Sequence, residues 1–459
     1  MKKLFSLILV LSLLLSGCGG AAPAETTPAQ TTAPVTTEAA PVEPVLGSEP
    51  VNLTFWHSAS DEAGVLMDKY ISEFNASNPY GITVKGIYQG QYADATTLLK
   101  TLLSAENYSE LPDVMQMDAT GKMTYVNSGK AFTIADALSA YPEPGFLENY
   151  LPTALTNWQF AGTQLGLPFA TSTTVTYYNA DLLSAAGWDK APDTFADISA
   201  LYADLTAAGR TEKALQAIPN SPTLANWLGQ LGSYLVNNRN GADGVATALD
   251  CVDNGALETF LNAWKAMYDS GALLNEGSSS DLFISGGVAV MTGSSSNVHS
   301  ILTKVDGAFA VGVAPYLRVN EDAACGSGVS GSCVVMFDSG DSLRKAAAWE
   351  FVKYLTSAEV QADFAAGTGY VPAHKGAMDT AVYQEVIAQY PQYAVAYQQL
   401  MDTPETITSV TVGPAKDFYY AVMQGVSDML EYDQTPAAAA EILEDELTML
   451  LEDYLRSNS

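Results

Sequence analysis

The chain has 459 residues, of which 48% are apolar and 10% aromatic, enough for more than one domain with its own core. Lys and Arg number 20 against 51 Asp and Glu, a formal net charge of −31. An acidic surface of this kind repels polyanions, which sets nucleic acid aside as a partner while leaving room for a local anion pocket.

In chain order, Lys2 and Lys3 precede an apolar run over residues 4–15, too short to span a bilayer and suited to a signal-peptide core. The run ends at Leu15-Ser16-Gly17-Cys18, which resembles the bacterial lipoprotein cleavage box; that resemblance implies export, removal of residues 1–17 and lipidation of Cys18. The plainer alternative is a secretory peptide with an incidental cysteine. Residues 19–50 are nearly all Ala, Pro, Thr, Glu, Gly and Val, with no aromatic residue, and read as an extended spacer that holds a folded body away from the membrane. No later apolar run approaches membrane-spanning length, so the body is expected to lie outside the bilayer.

From Val51 the pattern alternates β-rich runs with helical ones, an α/β architecture. Residues 51–56 alternate as a strand, Ser60-Asp61-Glu62 opens a helix, and Val65, Leu66, Tyr70 and Phe74 share its apolar face. Asn78-Pro79-Tyr80-Gly81 ends that helix, residues 82–87 read as a second strand, 95–105 as a helix and 113–117 as a buried strand. Strand, helix, strand in this order is a right-handed crossover, which gives a parallel sheet with its ligand site at the strands' carboxyl ends. The loops at those ends carry Trp56-His57-Ser58, Gly90-Gln91-Tyr92 and Asp118-Ala119-Thr120, aromatic faces beside hydroxyls, amides and a carboxylate. This mixture suits a hydroxyl-rich small molecule, although each aromatic taken singly is as readily core packing.

After Cys18 the cysteines are Cys251, Cys325 and Cys333. Either Cys325 and Cys333 pair across a hairpin, or all three are buried thiols. Together with His57, His299 and His374 they show no metal-ligand spacing, and neither a metal nor a cofactor is expected.

Phe55-Trp56-His57-Ser58, Leu111-Pro112-Asp113-Val114, Leu167-Pro168-Phe169 and Val175-Thr176-Tyr177-Tyr178-Asn179 resemble, in order and spacing, the extracellular solute-binding proteins of carbohydrate-importing ABC transporters. The likeness continues through residues 286–292 and 311–316 to Gly369-Tyr370-Val371-Pro372, and within the family it is nearest to glycerol-3-phosphate-binding proteins. It implies a two-lobe periplasmic-binding-protein fold of type II, with the ligand cleft between lobes: 51–168 with 292–332 as lobe 1, and 169–291 with 333–459 as lobe 2. Crossings between lobes are expected near 168–176, near Met291 and near 330–336, and helices near 343–355 and 436–455 complete lobe 2. The second of these stands on its own signals, with Thr435 as cap, Pro436 in the first turn, and Ile442, Leu443, Leu447, Leu450, Leu451 and Tyr454 on one face.

Carried over residue by residue, the resemblance implies ligand contacts from Tyr92, Ser172, Ser295, Ser296, Ser330, Gly331 and Tyr370; Trp56, His57 and Asp118 join them from the strand ends. Where the phosphate-binding relatives carry arginines, this chain has Thr411 and Tyr419, with Lys416 as the nearby cation. The cleft tryptophans of relatives are replaced around residues 221–224, so Trp227 is expected to supply that face. Both departures favour a neutral sugar over a phosphate, which needs charge-assisted donors. The implied partners are the solute, the membrane permease and, through the lipid, the outer face of the cytoplasmic membrane, with the protein a monomer and no enzyme. An adhesin or an anchored glycan hydrolase are the alternatives of different class.

Overall fold

A computed structural model describes residues 45–277 and 279–457; the signal segment, Cys18 and nearly all of the spacer lie outside the described residues. The chain from Pro44 onward is one compact unit.

Five strands position the first half: β1 (Val51–His57), β2 (Ile82–Tyr88), β3 (Val114–Asp118), β4 (Leu167–Asn179) and, much later in the chain, β8 (Val329–Phe337). The second half adds β5 (Lys213–Gln216), β6 (Val288–Ser294) and β7 (Val311–Ala314). The main path runs β2-β1-β3-β8-β4-β6-β5, and β7 also pairs with β4. As expected from the crossovers, β2 and β3 are both parallel to β1. The sheet as a whole is mixed, because β8 is antiparallel to β3 and β4.

The 13-residue β4 joins the two halves. Residues 167–173 pair with β8, while residues 174–179 pair with β6 and β7. This strand lies where the crossing near 168–176 is expected, whereas β8, expected to cross near 330–336, pairs with β3 and with residues 167–173 of β4 and not with the strands of the second half. A run of hydroxyls at its middle, Thr171, Ser172 and Thr173, is buried at 3% exposure or less, which a purely structural strand would fill with Val or Ile.

Alternation along β1 sends successive side chains into different cores. Leu53 and Phe55 enter the larger one, beneath helices α1 (Asp61–Ser77), α6 (Ser342–Leu355) and α7 (Ala358–Thr368). Trp56 enters a smaller one on the opposite face, with Leu99 of α2 (Tyr92–Ser104), Met115, Met117 and Trp158. A third core holds α3 (Phe195–Ala207), α4 (Ser221–Gln230), α5 (Ala256–Asp269), α8 (Ala415–Glu431) and α9 (Pro436–Ser457) around Trp227, Phe260 and Trp264.

Several expectations change in detail. In α1 the buried stripe is Met67, Tyr70, Ile71 and Phe74, and Val65 is exposed, because the helix is rotated to meet α6 and α7 on its flank. Helix α6, expected in lobe 2, packs on β1: Phe351 stands 5.3 Å from Phe55 and 5.1 Å from Phe74. Conversely β7, expected in lobe 1, pairs with the second half of β4. The apolar periodicity of an isolated helix or strand does not say which distant sheet it covers, and the β8–β3 register, Val334 opposite Gln116, decides it. In α9, Thr435 Oγ1 caps by accepting from the Ala438 amide at 3.3 Å, and Leu443, Leu447 and Leu451 are buried while Ile442 faces solvent. All three cysteines past the spacer are free thiols; Cys333 and Cys251 are buried and Cys325 is exposed, so neither the paired nor the all-buried reading holds.

Candidate functional site

Polar side chains converge where β3, β4 and β8 meet the start of α2. Gln116, on β3 and 2% exposed, donates from Nε2 to Tyr92 Oη and to Ser332 Oγ, both at 3.0 Å. Tyr92 sits beside Tyr370 and Asp118, and burial, reinforced by these neighbours, pushes its phenol well above the usual range. A phenol held neutral offers one donor and an apolar face. Burial also raises the Asp118 carboxyl, against the pull of Thr120, whose hydroxyl and amide donate to Oδ1 at 2.6 and 3.1 Å. Tyr370 stacks on Phe364 with ring centroids 5.5 Å apart and bonds Ser296; Ser296 Oγ in turn lies 2.8 Å from Ser294 Oγ. Tyr92, Asp118, Tyr370 and Ser296 thus form one connected constellation.

The neighbouring cavity, of about 350 Å³, is lined by Ser330, Ser294, Thr173, Thr174, Thr223 and Tyr419 together with Gln216, Asn220, Glu276 and Tyr420. Ser330 stands opposite Ser172 in the β8–β4 ladder. Gly331 is required by the backbone: its φ is +94°, and a Cβ there would lie 1.9 Å from Ala170 O. Tyr419 packs edge-on against the exposed Tyr420, centroids 5.3 Å apart, and presents its ring to the cavity.

Other expected contacts have structural positions. Ser295 is 3% exposed and its Oγ accepts from the Thr173 amide at 3.2 Å, which holds β4 in place. Trp56 belongs to the small core. His57 extends β1 by one residue, paired with Tyr88, and its ring lies buried between Phe55 and Tyr88; desolvation lowers its pKa. Trp227 is fully buried, stacked between Phe260 at 5.2 Å and Tyr316 at 5.0 Å, with Nε1 donating to Leu317 O at 3.1 Å. It belongs to the core of the second half and does not face the cleft, because the side of α4 it occupies packs on α5.

Sequence reasoning missed Gln216 and its neighbours. Gln216 is 5% exposed; its Nε2 donates to Gly277 O and Ser279 O, both at 3.2 Å, which leaves Oε1 as a buried acceptor without a partner at the cavity wall. Part of the signal was available, since Asn220-x-x-Thr223, just beyond, is the capping box of α4; that residues 213–216 form a strand before it was not. Also missed was the cation nearest Thr411. Lys416 is exposed on α8, whereas Lys122 Nζ reaches Thr411 Oγ1 at 3.2 Å from another part of the fold.

The profile of the family described as bacterial extracellular solute-binding protein matches residues 69–395. The sn-glycerol-3-phosphate-binding periplasmic protein UgpB of Yersinia pestis bv. Antiqua (strain Antiqua) is 26% identical over 361 residues, 77% of this chain and 81% of that protein. Among solved structures, the fold is shared with UgpB from Mycobacterium tuberculosis in complex with glycerophosphocholine, at TM-score 0.72 and 19% identity, covering 89% of this chain and 100% of that one. It is shared equally with the cyclic alpha-maltosyl-1,6-maltose binding protein from Arthrobacter globiformis, at TM-score 0.73 and 16% identity, covering 88% and 100%. The mixed α/β fold is that of these two-lobe solute-binding proteins, and the chain belongs to the bacterial extracellular solute-binding protein family.

Proposed function

We propose that the protein captures a neutral sugar or oligosaccharide between its lobes and delivers it to the permease of an ABC importer, without catalysis. The observation that carries this reading is the chemistry of the 350 Å³ cavity: hydroxyls, amides, two tyrosines and the Glu276 carboxylate, with no Lys or Arg among its lining residues. Gln216 Oε1 is an unused buried acceptor there, and acceptors of this kind favour a ligand rich in O–H donors. A phosphate would meet Glu276 with no cation to offset it.

Tyr92, Tyr370 and Ser296 supply the opposing contacts, with Ser172, Ser330 and Gly331 at the crossing and Tyr419 from the second lobe. Ligand that touches both sides favours the closed arrangement, since only differential affinity shifts such an equilibrium. In this reading Cys18 is lipidated and tethers a monomeric body to the outer face of the membrane. Among the described residues no helix is long and apolar enough to cross a bilayer. The adhesin and hydrolase alternatives have no observation in their favour.

The test is calorimetric titration of the protein from Pro44 onward with maltose, maltotriose and larger neutral oligosaccharides, and with glycerol-3-phosphate and glycerophosphocholine. Saturable binding of a neutral saccharide that is lost in Gln216→Leu is expected. Binding confined to the phosphorylated compounds would overturn the substrate assignment.

A further inference from the structure

Lys69, Arg210, Arg239, Lys265, Arg318, Arg344, Lys345, Lys353 and Arg456 form ion pairs, and the other lysines of the described residues apart from Lys122 are exposed or half-buried. Lys122 is different. Among the described residues it is the one Lys or Arg that is buried, at 2% exposure, and it is in no ion pair. Its ammonium donates to two neutral acceptors, Asn157 O at 3.0 Å and Thr411 Oγ1 at 3.2 Å. An ammonium has three protons to place, and a buried charge without a counter-charge is costly.

Beside Lys122 lies a cavity of about 160 Å³, whose wall includes Asn157, Thr156, Ser409, Thr411 and Arg239. It shares no lining residue with the sugar cavity. Thr411 Oγ1 accepts from Lys122, so its own proton is free to donate, and its backbone is fixed by the amide bond to Asn240 O at 2.7 Å. The charges that face this space are Lys122, Arg239 and Glu405; Arg239 is already paired with Asp243, through Nη2 to Oδ1 at 2.8 Å. Glu405 forms no ion pair among the described residues and acts on Arg239, so Lys122 is the cation of this wall without a carboxylate partner of its own. The wall draws on both lobes, with Lys122 and Asn157 from the first and Arg239 and Thr411 from the second.

We propose that this cavity is a second binding site, for a small oxyanion (a phosphate, sulfate or carboxylate group) held by Lys122 and the Thr411 hydroxyl. The anion supplies the counter-charge that the fold omits, and the cavity is large enough for a phosphate-sized group. Burial depresses the Lys122 pKa to about 8, with the Arg239 charge adding to the effect and the Cys333 thiol opposing it, so the ammonium form persists at neutral pH. The oxyanion has two conceivable sources, a free inorganic ion or the acidic group of an organic solute.

The experiment uses the protein from Pro44 onward at pH 7, titrated by calorimetry with inorganic phosphate, sulfate and glycerol-3-phosphate at ionic strength held constant with sodium chloride. Saturable phosphate binding is expected, weakened at least 10-fold in Lys122→Met and several-fold in Thr411→Val, which removes the hydroxyl with little change of shape and serves if Lys122→Met does not fold. Equal affinity for phosphate and glycerol-3-phosphate assigns the site to free anions; affinity for glycerol-3-phosphate at least 10-fold higher assigns it to the acidic group of a solute, and either result supports the site. Absence of saturable binding, or binding unchanged in both variants, overturns it. Neutral-saccharide binding by Thr411→Val should equal that of the unmodified protein, so failure of the sugar reading and failure of the anion site are separately visible.

Discussion

Trp227 and Tyr419 make opposite predictions, although the sequence places both in the ligand site. Trp227→Ala removes a fully buried indole from the stack formed with Phe260 and Tyr316. Large aromatic-to-alanine changes in packed cores cost about 3–5 kcal/mol. Nothing need be added for a lost hydrogen bond, because Leu317 O, the acceptor of the indole N–H, keeps the Gln230 Nε2 donor at 3.2 Å. For a lobe of roughly 200 residues, about 2–4 °C per kcal/mol turns this into a fall in Tm of roughly 6–20 °C. Tyr419→Ala, by contrast, takes a partly exposed ring from the cavity wall and should cost less than about 1.5 kcal/mol of stability while weakening saccharide binding at least 10-fold. The assay is differential scanning calorimetry of both variants without ligand, followed by titration of the saccharide below their Tm. If Trp227→Ala melts like the unmodified protein but loses saccharide affinity, or Tyr419→Ala loses stability and keeps affinity, the assignment of these rings is wrong.

Gly331→Ala should cost more than a typical surface change, about 3 kcal/mol or more, since its Cβ would overlap Ala170 O at 1.9 Å across the β4–β8 crossing; far-ultraviolet circular dichroism on heating reports the lowered Tm. Maleimide labelling of the native protein from Pro44 onward should modify one thiol, Cys325, with Cys251 and Cys333 reacting after denaturation, as read by intact mass. The Lys122 charge should make stability depend on alkaline pH. Its native pKa of about 8 lies below the unfolded value near 10.5, so between these values the unfolded chain binds more protons and stability rises with pH. The gain approaches about 1.4 kcal/mol per pH unit above pH 8 and should be absent from Lys122→Met, measured by urea midpoints at pH 7, 8 and 9 in chloride.

Which parts of the site were legible in the sequence follows from how local their causes are. The positions of Tyr92 and Asp118, just past the end of β2 and at the end of β3, were readable because the ends of parallel strands are set by local alternation and by the breaks that follow. Trp56 and His57 satisfy the same rule and fail it, because β1 runs on to pair His57 with Tyr88, and alternation then sends Trp56 into the small core. Gln216 escaped because residues 213–216 carry little strand signal of their own; they become a strand by pairing with Val288 and Val290 of β6. Lys122 escaped because nothing near it in sequence says that it will be buried against Thr411, 289 positions away.

By itself the sequence determined the α/β alternation and the family, since each rests on local periodicity or the order of short motifs. The tertiary structure alone decided that α6 covers the first sheet, that Trp227 is core, that Gln216 lines the cleft, and that one buried lysine lacks a counter-charge. These are outcomes of pairing between segments 90 or more residues apart. Such pairing is fixed by the simultaneous burial of many side chains, and no window along the chain contains it.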